Sequence, residues 1–370
     1  MVEYSFRFKA LILTAFFLCG GAGAVLGNVI YNMKSLGLHN TVKSFQKPIF
    51  QTWSMFFAMT LLIFDTPYFK TGVCPGYRTG GVIRGIGLFR VVSIPSLCDL
   101  VSTYLQNIGL LYLPPSVWQI TRGSILLFTA ILSIFYRKKK LRFHEWIGVI
   151  TTIIGISIVG VSSILLNKDQ SSTSRDSSTA IQFVAILLVF IAQALQALQT
   201  VVEEKLLHDI ESTENELVSY EGIWGLYFTT FIAMPVAQIL PESMSDSLFE
   251  HTGESFLMIS HSLLLFFCII CYMLTVVVYN VSGMYVTSFS SAIHRNIYES
   301  LRTSVVWVLS VIIHYAFPNS GSGEGLSVYS LIELLGFLIS ILGSFIYNEV
   351  IKIDCFSQRK ANTIPLLAEN

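Results

Sequence analysis

Long apolar segments separated by short polar stretches run through the whole of this 370-residue chain. A helix needs about 20 apolar residues to cross the hydrocarbon core of a bilayer. The segments that meet this requirement are 10–33, 48–66, 88–112, 116–135, 144–166, 180–204, 219–240, 257–281, 289–315 and 329–350. The pattern therefore predicts an all-α membrane protein with ten transmembrane helices.

One short motif, Glu-x-x-Gly followed seven residues later by a second glycine, occurs in both halves of the chain. Its two copies are Glu145-Trp-Ile-Gly148 with Gly155, and Glu333-Leu-Leu-Gly336 with Gly343. A spacing of seven places both glycines on one helix face, so that a neighbouring helix can approach closely. Each copy follows a predicted helix that carries an arginine, Arg122 or Arg302. This repetition indicates one ancestral helical unit used twice.

A polar stretch at 167–179 divides the chain and is predicted to be a flexible loop. Five predicted helices lie in 1–166 and five in 180–350, and an odd number per repeat forces the second copy to enter the membrane inverted. Inverted repeats place a shared cavity near the midplane, where the two halves meet. The polar tail 351–370 is predicted to be a disordered cytosolic segment.

The composition excludes a soluble protein. Apolar residues make up 53% of the chain and charged residues 12%, with a mean hydropathy of +0.65, whereas soluble domains carry roughly 25% charged residues. A net charge of zero excludes the basic surface of a nucleic-acid-binding protein. The stretch 34–47 is expected to lie along the membrane surface. The lipid bilayer is therefore the first predicted partner.

Lys and Arg are unevenly distributed between the two sides of the predicted topology. One side carries fourteen of them and the other carries five. The first group is Arg7, Lys9, Lys70, Arg78, Arg84, Arg137, Lys138, Lys139, Lys140, Arg142, Lys205, Lys352, Arg359 and Lys360, and the second is Lys34, Lys43, Lys47, Lys168 and Arg175. Because cytoplasmic loops are enriched in basic residues, both termini are predicted to lie in the cytosol.

Charged side chains inside the first five predicted helices mark one half of a candidate site. Asp99 lies in the third helix, and Gln119 and Arg122 lie on one face of the fourth. A charge at the centre of a membrane helix costs roughly 2.5–3.5 kcal/mol, so such residues face protein or water. One interpretation is that these three residues line a substrate cavity. The alternative is a structural Asp99–Arg122 ion pair that locks the two helices together.

The ninth predicted helix carries the second half of this candidate site. Arg295, Tyr298, Glu299 and Arg302 recur at i, i+3, i+4 and i+7, which is one helical stripe. Glu299 and Arg302 can pair one turn apart. An arginine in each half suits an anionic or zwitterionic substrate group. The alternative is a salt-bridged contact between helices.

The sixth predicted helix adds a row of amides. Gln193 and Gln196 lie on one face and can either bind substrate or join helices by hydrogen bonds. Glu203 and Glu204, further along the same helix, are expected to lie at a solvated helix end. Glu221 is expected to be stabilised by the dipole of the helix it opens.

No arrangement of residues typical of an enzyme occurs in the sequence. There is no H-E-x-x-H, G-x-S-x-G or P-loop motif. Cys268 and Cys271 form a C-x2-C pair on an apolar helix, but without a second Cys or His pair nearby, packing explains them better than metal binding. We therefore predict a non-enzymatic protein with no cofactor and no metal.

Several short stretches, in order along the chain, resemble one known family. They are Ser44-Phe-Gln-Lys-Pro48, Pro95-Ser-Leu-Cys-Asp99, Gln119-Ile-Thr-Arg-Gly123, Glu203-Glu-Lys205, Glu221-Gly-Ile-Trp-Gly225, Ser300-Leu-Arg-Thr303 and Leu335-Gly-Phe-Leu338. With them the chain resembles the F-type, lysosome-associated branch of solute carrier family 35 and, more distantly, the chloroquine resistance transporters of malaria parasites. The resemblance implies the drug/metabolite transporter fold of two inverted five-helix repeats. It also implies a small-molecule substrate and an endomembrane location, in the lysosome or vacuole ahead of the Golgi.

We expect a secondary carrier that moves a small polar metabolite or drug-like solute across an endomembrane by alternating access, as a monomer or a homodimer. Protons are a candidate coupling ion, carried by Asp99 or by Glu299, and Glu299 is favoured because Tyr298 shares its stripe. A non-transporting membrane scaffold built on a carrier fold is the alternative. The charged stripe favours transport, since a scaffold needs no charged cavity.

Overall fold

The computed structural model describes residues 4–37, 42–66, 82–113, 121–138, 140–170, 179–209, 212–239, 250, 252–316, 326, 328–348 and 350–351. The helices in this part of the chain are α1 (Phe6–Asn32), α2 (Pro48–Thr60), α3 (Val82–Tyr112), α4 (Ile125–Arg137), α5 (Phe143–Gln170), α6 (Thr179–Asp209), α7 (Glu214–Phe228), α8 (Met234–Ile239), α9 (Thr252–His261), α10 (Leu263–Phe289), α11 (Ala292–Ala316) and α12 (Val328–Tyr347). A 3-10 turn (Leu61–Asp65) extends α2, and a π-helical turn (Thr229–Ala233) joins α7 to α8. Strands β1 (Lys34–Leu36) and β2 (Val42–Ser44) form an antiparallel hairpin.

Seven helical segments within the described residues are long and apolar enough to cross a bilayer. They are Phe6–Asn32, Pro48–Asp65, Gly87–Gly109, Phe143–Ser162, Phe183–Asp209, Leu263–Phe289 and Val328–Tyr347. The chain is therefore a mostly helical, multi-pass membrane protein, as its apolar pattern predicts. Helix α4 is apolar but has only 13 residues, because a turn at Gly123 and Ser124 precedes it. Residues 116–120 of the predicted span 116–135 lie outside the described residues.

Two predicted spans differ from the simple apolar pattern for a physical reason. Helix α11 has 25 residues but carries Arg295, Glu299 and Arg302 in its first half, which lowers its hydropathy. Helix α7 begins at Glu214 rather than at residue 219, with acidic residues in its first turn. These acidic residues are buried against protein, so their polarity does not mark the end of the helix as it would in lipid.

The main helix–helix contacts all join the first half of the chain to the second. Helix α5 packs along α12, α3 along α6, and α1 along α10. Helix α2 packs against α7, α4 against α6, and α11 against α1. The apolar core lies where these pairs meet, as in the cluster of Phe56, Val92, Leu206 and Leu217. The halves therefore interleave rather than forming two separate bundles.

The two copies of the repeated glycine motif pack on each other. A Cβ on Gly148 would lie 2.8 Å from the carbonyl oxygen of Gly343, and one on Gly155 would lie 2.6 Å from the carbonyl oxygen of Gly336. The antiparallel helices α5 and α12 thus approach backbone to backbone, which only residues without a Cβ allow. Close packing of small residues is the main source of helix association in a membrane. The sequence predicted a close neighbour, and that neighbour is the other copy of the motif.

The described part of the stretch 34–47 forms the β1–β2 hairpin and packs against protein. The hydroxyl of Ser35 donates to the carbonyl oxygen of Met258 in α9 at 2.6 Å, and the N–H of Phe45 donates to that of Met33 at 2.8 Å. Phe45 itself is buried. The hairpin is therefore held against protein through the buried Ser35 of β1, a strand in which exposed and buried residues alternate.

Candidate functional site

A cavity of about 660 Å³ lies between the two halves of the chain. Helices α1 to α4 line it from the first half, and α6, α10 and α11 line it from the second. The predicted site residues on its wall are Asp99, Arg122, Gln196, Arg295, Glu299 and Arg302. The predicted residue Gln119 lies outside the described residues. The fold thus brings together polar side chains that are up to two hundred residues apart in the sequence.

Glu299 contacts two arginines that come from different halves of the chain. Its Oε1 lies 2.5 Å from Nη2 of Arg302 and 3.6 Å from Nη2 of Arg122. The hydroxyl of Tyr279 donates to its Oε2. The spacing of α11 predicted the first pair, whereas for Arg122 the sequence suggested only Asp99 as a partner, in the alternative of a structural ion pair. One carboxylate therefore compensates two guanidinium groups, and the three side chains together carry a net positive charge.

Arg302 is held in place by contacts on three sides. Its Nη1 donates to the carbonyl oxygen of Gly20 at 3.0 Å, and its guanidinium carbon lies 5.0 Å from the centre of the Tyr279 ring. A cation over an aromatic face is attracted by the electron-rich ring. A Cβ on Gly20 would lie 2.5 Å from Cδ of Arg302, so this glycine makes room for the arginine. The site therefore presents a fixed cationic group.

A second charged group lies beside the first. Arg295 of α11 forms an ion pair with Glu203 of α6. Glu203 is fully buried and Glu204 is nearly so, which corrects the expectation of a solvated helix end, because α6 continues to Asp209 and packs against protein there.

Glu221 is also misjudged by the sequence. It is buried within α7, two turns after the start of that helix, so the helix dipole does not explain it. Its carboxyl group faces that of Glu203. Asp99 of α3 lines the cavity near this group and makes no ion pair within the described part of the chain.

The predicted amides have different surroundings. Gln196 lines the cavity and accepts a hydrogen bond from Nε2 of Gln106 at 3.3 Å, which joins α6 to α3. Gln193 is fully buried and lines an adjoining cavity of about 40 Å³ with Arg122 and Glu299. Neither amide atom of Gln193 has a hydrogen-bond partner among the described residues. Gln196 therefore joins helices, while Gln193 adds an amide next to the arginine pair.

Tyr298 is not among the residues that line the cavity. It packs at the edge of the apolar cluster around Ile125 and Ile297, and its ring lies 6.1 Å from that of Phe17 in an edge-to-face contact. Spacing alone placed it on the charged stripe of α11. The stripe of polar residues on α11 is wider than the face of α11 that lines the cavity. Tyr298 lies at the edge of the stripe and therefore contacts neighbouring helices.

Several uncharged polar residues on the cavity wall were missed by the sequence reasoning. They are Gln51 of α2, Tyr272, Tyr279 and Asn280 of α10, and Asn296 of α11. Nδ2 of Asn296 donates to the hydroxyls of Thr129 at 2.7 Å and Thr200 at 3.2 Å, which ties α11 to α4 and α6. Single amides and tyrosines inside long apolar segments were the available signal, but they are too common in membrane helices to mark a site alone.

The cavity reaches one end of the helices and is closed toward the other. Its wall includes Tyr31, next to the last residue of α1, and Pro48, the first residue of α2. On the other side, Nη1 of Arg137 pairs with Asp209 at 2.7 Å. There a ring nitrogen of His208 also contacts the carbonyl oxygen of Ser288 at 2.9 Å. Polar contacts between α4, α6 and α10 therefore close the end at which α1 begins.

Two acidic residues before and within α9 hold the start of α2. The carboxylate of Glu250 accepts hydrogen bonds from the N–H groups of Ile49 at 2.7 Å and Phe50 at 2.8 Å, and Glu254 pairs with Lys47 at 2.8 Å. Burial raises the pKa of Glu250 to about 7. Burial acts in the same direction on Glu254, but the hydrogen bond and charge of Lys47 lower its pKa overall. These contacts join the two halves at the end of the helices that the cavity reaches.

Comparison with known proteins agrees with this architecture. Residues 88–348, well over half of the chain, match the family model described as nucleotide-sugar transporter. Human solute carrier family 35 member F6 is 27% identical over 257 residues, which cover 69% of this chain. The match spans 65% of the length of that relative. An uncharacterised fission yeast protein is 26% identical over 311 residues, which cover 82% of this chain and 87% of the yeast protein.

Two further similarities are weaker. The rat UDP-N-acetylglucosamine transporter is 27% identical over 139 residues, which cover 36% of this chain and 41% of the relative. One crystal structure superposes with a TM-score of 0.56 at 12% identity, covering 94% of this chain and 98% of the other, which supports the fold alone. The resemblance to the F-type branch of solute carrier family 35 is confirmed by the relatives. By its sequence from α3 to α12, this chain belongs to the nucleotide-sugar transporter family.

Proposed function

We propose that this protein is a secondary carrier that moves a small polar metabolite or drug-like solute with an anionic group across an endomembrane by alternating access. The observation that carries the proposal is the cavity between the halves with Arg122, Glu299 and Arg302 on its wall. A group with net positive charge is costly inside a membrane. A carboxylate or phosphate of the solute would offset that charge and would be recognised by the planar guanidinium groups.

The dimensions of the cavity support a small-molecule solute. Its volume of about 660 Å³ falls within the roughly 300–1,000 Å³ of typical small-molecule sites. Tyrosines and amides beside the arginines provide apolar faces and hydrogen-bonding groups for the rest of the solute. UDP-N-acetylglucosamine, the solute in the name of the rat relative, carries anionic phosphates of the required kind.

We also propose the ten-helix arrangement of two inverted five-helix repeats. The proposed counterparts are α1 with α6, α2 with α7, α3 with α10, α4 with α11, and α5 with α12. Exchanging counterparts converts the α3–α6 contact into the α10–α1 contact, and the α4–α6 contact into the α11–α1 contact. The α5–α12 and α2–α7 contacts map onto themselves. This correspondence supports a pseudo-two-fold axis through the cavity.

Alternating access would use the contacts at the two ends of the helices in turn. In this structure the cavity reaches Tyr31 and Pro48, while Arg137 and Asp209 belong to the contacts that close the opposite end. With both termini in the cytosol, as the basic residues indicate, this conformation would face the lumen of a lysosome or vacuole. Rocking of the interleaved helices would break one set of contacts as the other forms.

We assign Glu299 to solute binding rather than to proton transfer, although the sequence favoured it as a proton carrier. Protonation of Glu299 would remove the shared counter-charge of Arg122 and Arg302. A carrier that used this carboxylate for coupling would thus alter its own anion site at each proton transfer. Carboxyl groups outside the arginine pair are better placed to carry a coupled proton.

The test is binding and uptake by the full-length chain, purified and reconstituted in liposomes. The panel comprises nucleotide sugars, basic amino acids, short peptides and cationic drugs. We expect an anionic solute to raise the melting temperature and to be taken up, and both effects to be lost in Arg302→Gln. Arg90→Gln removes an exposed arginine outside the cavity and serves as the matched control. A folded protein that binds and moves none of these solutes would favour the membrane scaffold instead.

A further inference from the structure

Two buried carboxyl groups face each other at the contact of α6 and α7. The carboxyl of Glu203 lies within hydrogen-bonding range of that of Glu221. Glu203 is 0% exposed and Glu221 is 5% exposed. Neither residue lines the cavity, whereas Asp99 does.

Each of these carboxyl groups has a buried oxygen that lacks a donor. No N–H or O–H group of the described residues reaches Oε1 of Glu203 or Oε1 of Glu221. Buried polar atoms without a partner are rare, and each one costs free energy. A proton bound to one carboxyl and donated to the other would satisfy both oxygens at once.

The charges around the pair also call for a proton. From α11, Arg295 pairs with Glu203, and from α3 the pair is faced by Asp99 and by the thiol of Cys98. Three carboxyl groups thus share one guanidinium. Two carboxylates in contact cannot both stay ionised in an apolar setting, so such pairs hold one proton between them.

We propose that Glu203 and Glu221 share one proton and form the proton-binding site of this carrier. On binding, an O–H bond forms on one carboxyl, and this O–H group donates a hydrogen bond to the other carboxyl. On release that bond breaks, and the proton passes to water in the cavity by way of Asp99, which lines the cavity and interacts with both carboxyls of the pair. The released state has one more negative charge beside Arg295, which lines the cavity and whose ion pair with Glu203 joins α6 to α11.

This inference rests on the proposed function in one respect, namely that the proton is coupled to solute movement. Binding of the proton itself needs no solute. The two proposals can therefore fail separately, because a protein that moves none of the tested solutes can still hold the shared proton.

The test is infrared spectroscopy of the full-length chain in lipid nanodiscs at pH 7. We expect a C=O band of a protonated carboxyl that is lost in both Glu203→Gln and Glu221→Gln. Gln is isosteric and can donate its amide to the remaining carboxylate, so the fold should be kept. All variants are compared in a Glu250→Gln background, because Glu250 has a pKa of about 7 and would add a band of its own. Glu216→Gln removes a buried carboxyl outside the pair and should retain the band. Retention of the band in both variants of the pair would overturn the proposal.

Isotope labelling tests the same point without substituting either member of the pair. In the Glu250→Gln protein, ¹³C-carboxyl glutamate should shift the band, whereas ¹³C-carboxyl aspartate should not. A shift only with labelled aspartate would move the proton to an aspartate such as Asp99 and contradict the assignment. Absence of the band, together with a sodium-dependent rise in melting temperature, would assign the pair to a metal cation and would also overturn the proposal.

Discussion

At the cavity wall, Glu299 compensates the charge of two guanidinium groups from opposite halves of the chain. Removal of Glu299 should therefore destabilise the protein more than removal of one of the arginines. Loss of the carboxylate leaves Arg122 and Arg302 beside each other with no counter-charge in their group. Loss of Arg302 leaves a simple pair of Arg122 with Glu299. The same three residues therefore allow the electrostatics of the site to be tested without knowledge of the solute.

We expect Glu299→Gln to lower the free energy of unfolding by about 3–5 kcal/mol, the cost of breaking a buried pair on one side. Arg302→Gln should cost less, and the double substitution should cost less than the sum of the two. Chemical unfolding of the purified variants measures these differences. Arg90→Gln should stay within about 0.5 kcal/mol of wild type. A Glu299→Gln variant as stable as Arg90→Gln would contradict this account of the site.

The sequence revealed the charged members of the site because charge is rare in apolar helices. Arg122, Arg295 and Arg302 were found in this way. Their partners were harder to find, since Glu299 pairs with Arg122 across the interface of the halves and no spacing encodes that contact. Glu203 was expected at a solvated helix end, because the sequence of one helix does not show which other helices cover its end.

At the scale of helices, the glycines of α5 and α12 determine how closely these two helices approach. We expect Gly155→Ala to destabilise the protein by about 1–3 kcal/mol, the usual cost of overpacking. The new Cβ would lie 2.6 Å from the carbonyl oxygen of Gly336, on a backbone that cannot move aside easily. Melting temperature in detergent is the measurement.

Gly87→Ala is the matched control for this prediction. A Cβ on Gly87 in α3 would meet no atom within 4 Å. Alanine is a better helix former than glycine by about 1 kcal/mol, so this variant should be as stable as wild type or more so. Equal melting temperatures of Gly155→Ala and Gly87→Ala would show that the α5–α12 contact is loose.

The start of α2 depends on a carboxyl group from the other half of the chain, and this gives a pH dependence. Glu250 has a pKa of about 7 in the folded protein against 4.5 ordinarily, so the folded state binds its proton more tightly. Its contribution to stability is fully present below pH 4.5 and is lost as the pH rises through 7. We expect the melting temperature to fall over this range and Glu250→Gln to remove about 3 kcal/mol or less of that dependence.

Glu254→Gln is the control with the opposite sign. The pKa of Glu254 is lowered in the folded protein, so its contribution is present above the ordinary pKa of 4.5 and is lost as the pH falls through the lowered value. This variant should lose stability at neutral pH and little in strong acid. If Glu250→Gln left the pH dependence of the melting temperature unchanged, the conclusion that the folded protein raises the pKa of Glu250 would be contradicted.

Helix positions followed well from the apolar pattern, whereas helix ends and partners did not. The pattern located α1, α5, α10 and α12 because these segments are long and apolar throughout. The hairpin after α1 was missed because six strand residues between two helices carry too short a pattern. The pairing of α5 with α12 was not predicted, since a glycine face shows only that some helix approaches it.

On the scale of the whole molecule, orientation follows from the basic residues and can be tested directly. We expect a cysteine placed at Lys140, in a protein free of other cysteines, to be labelled from the cytosolic side, and a cysteine at Ser245 to be labelled only from the opposite side. The physical reason is the preference of Lys and Arg for cytosolic loops. The reverse labelling pattern would place both termini outside the cytosol.

The side from which the cavity is reached can be tested with a natural reporter. Cys19 lines the cavity in α1, and the remaining cysteines can be replaced by serine. Because the cavity extends to Tyr31 and Pro48, while Arg137 and Asp209 pair at the opposite end of the helices, we expect a membrane-impermeant maleimide to label Cys19 from the side opposite the termini. Arg137→Gln should open the closed end and add labelling from the side of the termini. If the protein that keeps Arg137 were labelled at Cys19 only from the side of the termini, the cavity would face that side instead.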